Sequence, residues 1–183
     1  MIIQESFVKI ISEIPDTSDN KTEEIFSLSH SINENGFLTK ELGMKILHWK
    51  SPRPFKHYDK NTKDDFETIT KYALMQEDEK IKIHILTALN GVNYPSASAI
   101  LMFSNPSKYP VIDIRVWRQL YKNEFVTENP RGQNFTLTQW SKYLDVIRNI
   151  SDKLNITPRQ VEKRLFDYDK STQIGTLYFS AKK

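Results

Sequence analysis

Apolar residues recur along this chain at spacings of three and four, the pattern of helices that bury one face. Phe7, Val8, Ile10 and Ile11 make the apolar face of a short first helix ending near Pro15. A second helix is predicted over 22–33, stopped by Asn35-Gly36, and a third over Thr39 to His48, with Leu42, Ile46 and Leu47 at helical spacing. Ser51-Pro52-Arg53-Pro54 then forbids continuation, because proline lacks an amide hydrogen and clashes with the preceding turn. Asn61 or Thr62 caps a fourth helix with Phe66, Ile69, Tyr72 and Ala73 along one face. A fifth covers 78–89, with Ile81, Ile85 and Leu89 four apart. Pro95 opens a sixth, in the first turn where its missing N–H matters least, and that helix stops at Asn105-Pro106.

Asp113 is positioned to cap a seventh helix over Ile114 to Lys122, and Phe125 to Phe135 reads as loop. Two more helices follow, over 137–154 with Trp140, Leu144, Ile147 and Ile150 inward, and over 158–168, opened by Thr157-Pro158. From Thr172 the tail reads as frayed, or as extended through Thr176-Leu177-Tyr178-Phe179. No alternating strand pattern recurs, so the expected fold class is all-α.

Composition narrows the class. With 183 residues, 38% hydrophobic and 11% aromatic, the chain has material for one core, and a single mainly helical domain over 1–183 is expected. The absence of cysteine excludes disulfides, thiolate nucleophiles and cysteine-held zinc or iron–sulfur centres. The opening Met1-Ile2-Ile3-Gln4-Glu5-Ser6 does not read as a signal peptide, and the apolar run from Ala99 to Phe103 is far below the ~20 residues that span a bilayer. A cytoplasmic monomer without membrane contact is expected. A net charge of +3 says little, but its distribution says more. Residues 1–44 hold eight acids and three bases, whereas Lys45, Lys50, Arg53, Lys56, Lys60 and Lys63 cluster in 45–63 against Asp59 alone. Such a patch suits a phosphate backbone, and equally a solvated lysine-rich loop.

The segment from Leu86 to Leu101 carries the candidate function. Two helices are joined there by a tight turn, Asn90-Gly91-Val92-Asn93-Tyr94-Pro95-Ser96, with small Ala97 and Ala99 permitting close packing. A turn of this kind aims backbone amides at a phosphate without reading sequence. Asn93, which tolerates positive φ better than other non-glycine residues, is expected to serve there as a second glycine.

Followed by Tyr109-Pro110-Val111-Ile112-Asp113-Ile114-Arg115-Val116, this arrangement resembles the helix–hairpin–helix DNA glycosylases, with the hairpin at about 79–104. Trp49-Lys50-Ser51-Pro52-Arg53, read with the hairpin, is similar to a group of bacterial proteins described as 8-oxoguanine DNA glycosylase-like. The resemblance implies helical lobes around a cleft and double-stranded DNA as partner, with association to the nucleoid if the source is bacterial. Asp113 would lie at the mouth of a base pocket. Asn90, Gly91, Val92, Asn93, Tyr94 and Ser96 would hold the DNA backbone, with no required cofactor and a monovalent cation at the hairpin carbonyls. Bifunctional members carry a lysine where this chain has Pro95, so the implied activity is hydrolysis of the N-glycosidic bond without strand cleavage. Lys50 and Lys108 are the candidates for an amine supplied from elsewhere.

In that chemistry positive charge builds on the sugar, and one carboxylate beside the anomeric carbon stabilises it. Asp113 is the catalytic candidate, although an N-cap aspartate contributes ~1 kcal/mol to stability with no further role. A flipped base needs apolar faces and polar edges. Trp49, Phe55, Tyr58 and Trp117 are candidates for stacking, and Lys50, Arg53 and Arg115 for base or phosphate. The four histidines show no metal-ligand spacing, and no metal site is expected. Two competing readings stay open: a DNA-binding module without chemistry, in a defence or regulatory system, and a helical protein–protein module.

Overall fold

The computed structural model describes residues 2–174, with side chains from residue 4 onward. Its helices, in chain order, are α1 (Ile2–Glu13), α2 (Asn20–Asn35), α3 (Lys40–Lys50), α4 (Phe55–Tyr58), α5 (Lys63–Met75), α6 (Glu79–Leu86), α7 (Tyr94–Ser104), α8 (Ile114–Lys122), α9 (Leu137–Leu154) and α10 (Pro158–Thr172). No strand occurs among the described residues, and none of their helices is long and apolar enough to cross a membrane. The segment Thr176-Leu177-Tyr178-Phe179 lies outside the described residues; α10 itself runs four residues past the expected end.

The helices sort into two groups. α2, α3 and α6 pack against α7, with α5 on α6 and α3, while α1, α8 and α9 pack with α10, and α6 touches α9 across the boundary. α7 is central because it lacks a polar face: every residue from Ser96 to Ser104 is buried. Its buried serines find partners, Ser98 donating to the Pro95 carbonyl at 2.8 Å and accepting the Ile112 amide at 3.1 Å. That second bond ties the chain leading into α8 against the hairpin. Gly43 lets α3 meet α5, since a Cβ there would lie 2.4 Å from a Phe66 ring carbon.

Local signals place most boundaries. Thr62, Thr136 and Thr157 each close a capping box, with Asp65, Gln139 and Gln160 respectively, satisfying helix-end amides that would otherwise be orphaned. Facing is less local. In α6, Ile83 and Leu86 are buried while Ile81 is half exposed, so the expected stripe is rotated. Apolar residues at 81, 83, 85 and 86 offer several faces, and packing against α5 and α7 selects one. Tyr72 points outward at 59% exposure; α5 buries Phe66, Thr70 and Ala73 instead, and Ile10 of α1 is similarly exposed beside buried Phe7 and Ile11.

Candidate functional site

Asp113 caps α8, and its carboxylate is held from two sides. Oδ1 accepts the Arg115 amide at 2.9 Å, and Oδ2 meets Lys50 Nζ at 2.5 Å. Lys50 is the last residue of α3, two residues beyond the expected helix end, and that extra length delivers its amine to α8. Both side chains are largely but not fully buried, at 12% and 17% exposure. Burial pushes the Asp113 carboxyl up, but attraction and hydrogen bonding from the Lys50 ammonium and the Arg115 amide outweigh it and hold the group below its ordinary value. Asp113 is therefore an anion at neutral pH.

Lys50 and Asp113 line two cavities at once. The first, of 420 Å³, opens between the two helix groups; Trp49 and Phe166 supply its apolar surface and Arg159, Glu162 and Lys163 its charges. The second, of 450 Å³, runs along the hairpin past Asn93, Pro95 and Ser96, the bend at Ser51, Arg53 and Pro54, and the loop 132–135.

Trp49 is fixed at the first cavity by a relay. Asp19 accepts from Thr22 through its hydroxyl at 2.7 Å, and Thr22 Oγ1 accepts the Trp49 indole N–H at 3.0 Å. Its ring meets Phe103 edge-on at 4.9 Å, and the Arg159 guanidinium lies 5.6 Å from its centroid. Glu162 is buried behind this surface and pairs with Arg159. Burial raises the Glu162 carboxyl, with the Asp113 anion adding to the rise, and Arg159 and Lys50 only partly oppose it. The fully buried Tyr143 donates to the Val111 carbonyl at 2.8 Å, holding the segment that carries Asp113.

The hairpin is built differently from expectation. Gly91 (φ +79°) supplies the left-handed residue, and a Cβ there would sit 2.7 Å from His57 Cβ. Asn93 does not act as a second glycine: at φ −113° and ψ 178° it is extended, and its side chain caps α7 by accepting the Ser96 amide at 3.2 Å. Helix capping is the stronger local preference of asparagine. With that amide engaged and Pro95 lacking one, the first turn of α7 offers a phosphate fewer donors than expected. Asn61 braces the turn from outside, donating to the Asn90 carbonyl at 3.1 Å and accepting its amide at 2.7 Å. Val92 is buried, Tyr94 reaches His84 at 3.1 Å, and Ser96 is buried against the Tyr58 hydroxyl at 3.1 Å.

The remaining expected pocket residues divide. Lys50 and Trp49 meet at the first cavity and Arg53 lines the second. Trp117 is not a pocket residue: it is fully buried, packs edge-on against Phe135 and donates its indole N–H to the Asn129 carbonyl at 2.8 Å. It belongs to the apolar stripe of α8, which faces the core. Arg115 lines neither cavity, because Asp169 at 3.1 Å and Gln173 at 2.6 Å draw its guanidinium towards α10. Phe55 is exposed beside the His48 ring, and Tyr58 is core except where it edges the hairpin cavity. Of the basic cluster, Lys45 pairs with Glu24 and Lys63 with Glu67, while Lys56 and Lys60 are exposed. Lys108 lines a separate cavity with Lys82 and Tyr109.

The sequence reading missed the contribution of α10. Arg159, Glu162 and Phe166 form much of the first cavity, and the available signal was two carboxylates, Glu162 and Asp169, beside the buried pair Val161 and Leu165. Among the described residues no group of three or more His, Asp or Glu side chains is placed to hold a metal ion. Comparison of the chain with protein-family models, with curated proteins and with solved structures finds no match to any of them.

Proposed function

We propose that the chain is a DNA glycosylase-like protein that hydrolyses the N-glycosidic bond of a damaged or modified base. The observation that carries the reading is the ionised Asp113 on the seam of two cavities. One is walled by aromatic and charged groups and the other by the hairpin, so a flipped base and its sugar-phosphate would have separate berths. The 420 Å³ of the first falls within the range of about 300–1,000 Å³ typical of small-ligand pockets. Trp49 or Phe166 offers a stacking face, and Arg159 and Glu162 offer a donor and an acceptor for a base edge. The anomeric carbon would then lie near Asp113, whose negative charge stabilises the oxocarbenium-like transition state.

A monovalent cation at the hairpin would draw on main-chain carbonyls. Two of these, from Leu89 and Asn90, already accept bonds from the Val92 amide and the Asn61 side chain, so the turn keeps its shape without an ion and no step depends on one.

The test is base excision on duplexes carrying 8-oxoguanine, uracil, alkylated and hydroxymethylated bases, with Asp113→Asn in parallel. Excision that drops at least ~100-fold in the variant, with DNA affinity retained, is the expected result. A second reading, a DNA-binding module without chemistry, is favoured by the engagement of both Asp113 oxygens within the protein. It requires salt-dependent DNA binding that Asp113→Asn leaves unchanged, and no excision by either protein.

A further inference from the structure

The end of α7 away from the hairpin borders a cavity of 290 Å³ that the glycosylase reading leaves without a role. Buried Ile32 and Tyr109 line it, with half-buried Leu74 beside them and Met75 exposed at its rim. Lys82 and Lys108 line it too, and no acid does among the described residues. The other cavities differ, for the first sets Asp19, Glu162 and Asp167 among its cations, and both it and the hairpin cavity include Asp113. We propose that this cavity binds a small amphipathic organic anion, a carboxylate or a phosphate monoester carried on an apolar body. The site is separate from the one assigned to DNA and does not rest on that assignment.

Lysines near helix ends need no ligand when they bond to the last carbonyls, and α2, α5 and α7 all end at this cavity. Backbone amides already take the carbonyls there: Gly36 donates to Ile32 at 2.9 Å, Gln76 to Ala73 at 3.1 Å and Asn105 to Leu101 at 2.9 Å. Neither ammonium has a hydrogen bond or an ion pair among the described residues. Glu79, the acid that attracts Lys82, has both oxygens on Arg148, at 2.7 and 2.6 Å. Burial pushes the Lys82 ammonium down, and repulsion from Lys108 adds to the fall against the pull of Glu79. An anion between the two lysines would offset both effects.

The side-chain amides of Asn33 and Asn105 line the same cavity, again without a partner among the described residues, and add N–H donors to the two ammoniums. Both lysines stand on fixed backbone, which lowers the cost of ordering them around a ligand. Lys82 lies within α6, its Nζ 5.8 Å from the Tyr109 ring centre, and the Lys108 carbonyl accepts two bonds from Arg148, at 3.1 and 3.0 Å. The volume lies at the lower edge of the range of about 300–1,000 Å³ for ligand pockets, which suits a headgroup and one ring or short alkyl chain.

The experiment titrates the full chain, in about 0.15 M salt, with phenyl phosphate and with 4-phenylbutyrate, following backbone amide NMR signals and the heat of binding. Inorganic phosphate and 2-phenylethanol supply the headgroup alone and the ring alone. Saturable shifts at residues 32–36, 74–82 and 104–109 are expected, with a dissociation constant of about 1 mM or tighter for at least one of the two anions. The tighter of the two identifies the headgroup. Lys82→Met and Lys108→Met are each expected to weaken binding at least ~10-fold, and Lys82→Arg to retain most of it. Equal affinity for inorganic phosphate or for 2-phenylethanol overturns the proposal. So do shifts centred on Lys50 and α10, affinity unchanged in both methionine variants, or no saturable binding of either anion. The shifts in the natural chain decide the matter where a variant fails to fold.

Discussion

Glu79 and Arg148, 69 residues apart, meet through two parallel hydrogen bonds of 2.7 and 2.6 Å, and Arg148 also donates twice to the Lys108 carbonyl. Lys50 and Asp113, 63 residues apart, meet through a single contact of 2.5 Å and are the more buried pair. In the first pair a planar fork finds acceptors on all sides, the geometry of a clasp, here between α6 and α9. Tyr109 completes it, its ring flanked by Arg148 at 5.6 Å and Lys82 at 5.8 Å; burial and the Glu79 carboxylate push its hydroxyl up to about 12. The second pair has fewer bonds per charge and borders open space on two sides. Similar sequence separation and similar charge thus produce a strut in one place and a candidate reactive pair in the other. The number of protein partners and the adjoining cavity make the difference.

The sharpest way to break this comparison is to neutralise one member of each pair. Asp113→Asn is expected to lower excision per folded molecule by at least ~100-fold; asparagine keeps the cap of α8, while loss of the Lys50 ion pair lowers the melting temperature. Arg148→Ala is expected to leave the excision rate per folded molecule unchanged. Equal losses in both variants, in parallel initial-rate assays, would show that the two pairs are alike.

A smaller effect concerns the hairpin beside the reactive pair. Gly91→Ala forces a side chain into positive φ and against His57, and is expected to destabilise the fold by about 1–3 kcal/mol in urea titrations. An unchanged midpoint would mean that the turn adapts and does not fix the second cavity.

The clasp itself is expected to contribute less. Each partner is about a third exposed, so Arg148→Ala is expected to cost about 1 kcal/mol, read from the same titrations, and a larger loss would promote the clasp to a main strut.

The smallest effect is one of sign. The Asp113 carboxyl is held below 3.8, so its stabilisation is present above that value and fades as pH falls through the lowered one. The Glu162 carboxyl is raised above 4.5, so its contribution is fully present below 4.5 and lost as pH rises through the raised value. Denaturant midpoints from about pH 3 to about pH 7 are therefore expected to diverge. The advantage of the natural chain over Asp113→Asn grows with pH, and its standing against Glu162→Gln declines. Parallel slopes would contradict the opposed shifts.

What the sequence by itself determined is what neighbours along the chain decide. Helix starts followed from side chains that accept an amide two or three residues on, at Thr62, Asp113 and Thr157, and stops followed from Gly36 and the prolines of the 51–54 bend. Asp113 was legible as a cap and hence as a fixed carboxylate, and Trp49 and Lys50 share the first cavity as neighbours in the chain, while Arg53, past the bend, lines the second. The tertiary structure alone decided which charges meet. Arg115, two residues from Asp113, turns away to Asp169, whereas Lys50 arrives from another helix. It also decided that Trp117 is core, that Asn93 caps rather than turns, and that α10 walls the first cavity. Periodicity gives the spacing of a face but not the direction in which that face is turned. That direction is set by the joint packing of many helices, to which each residue contributes only a small part of the energy.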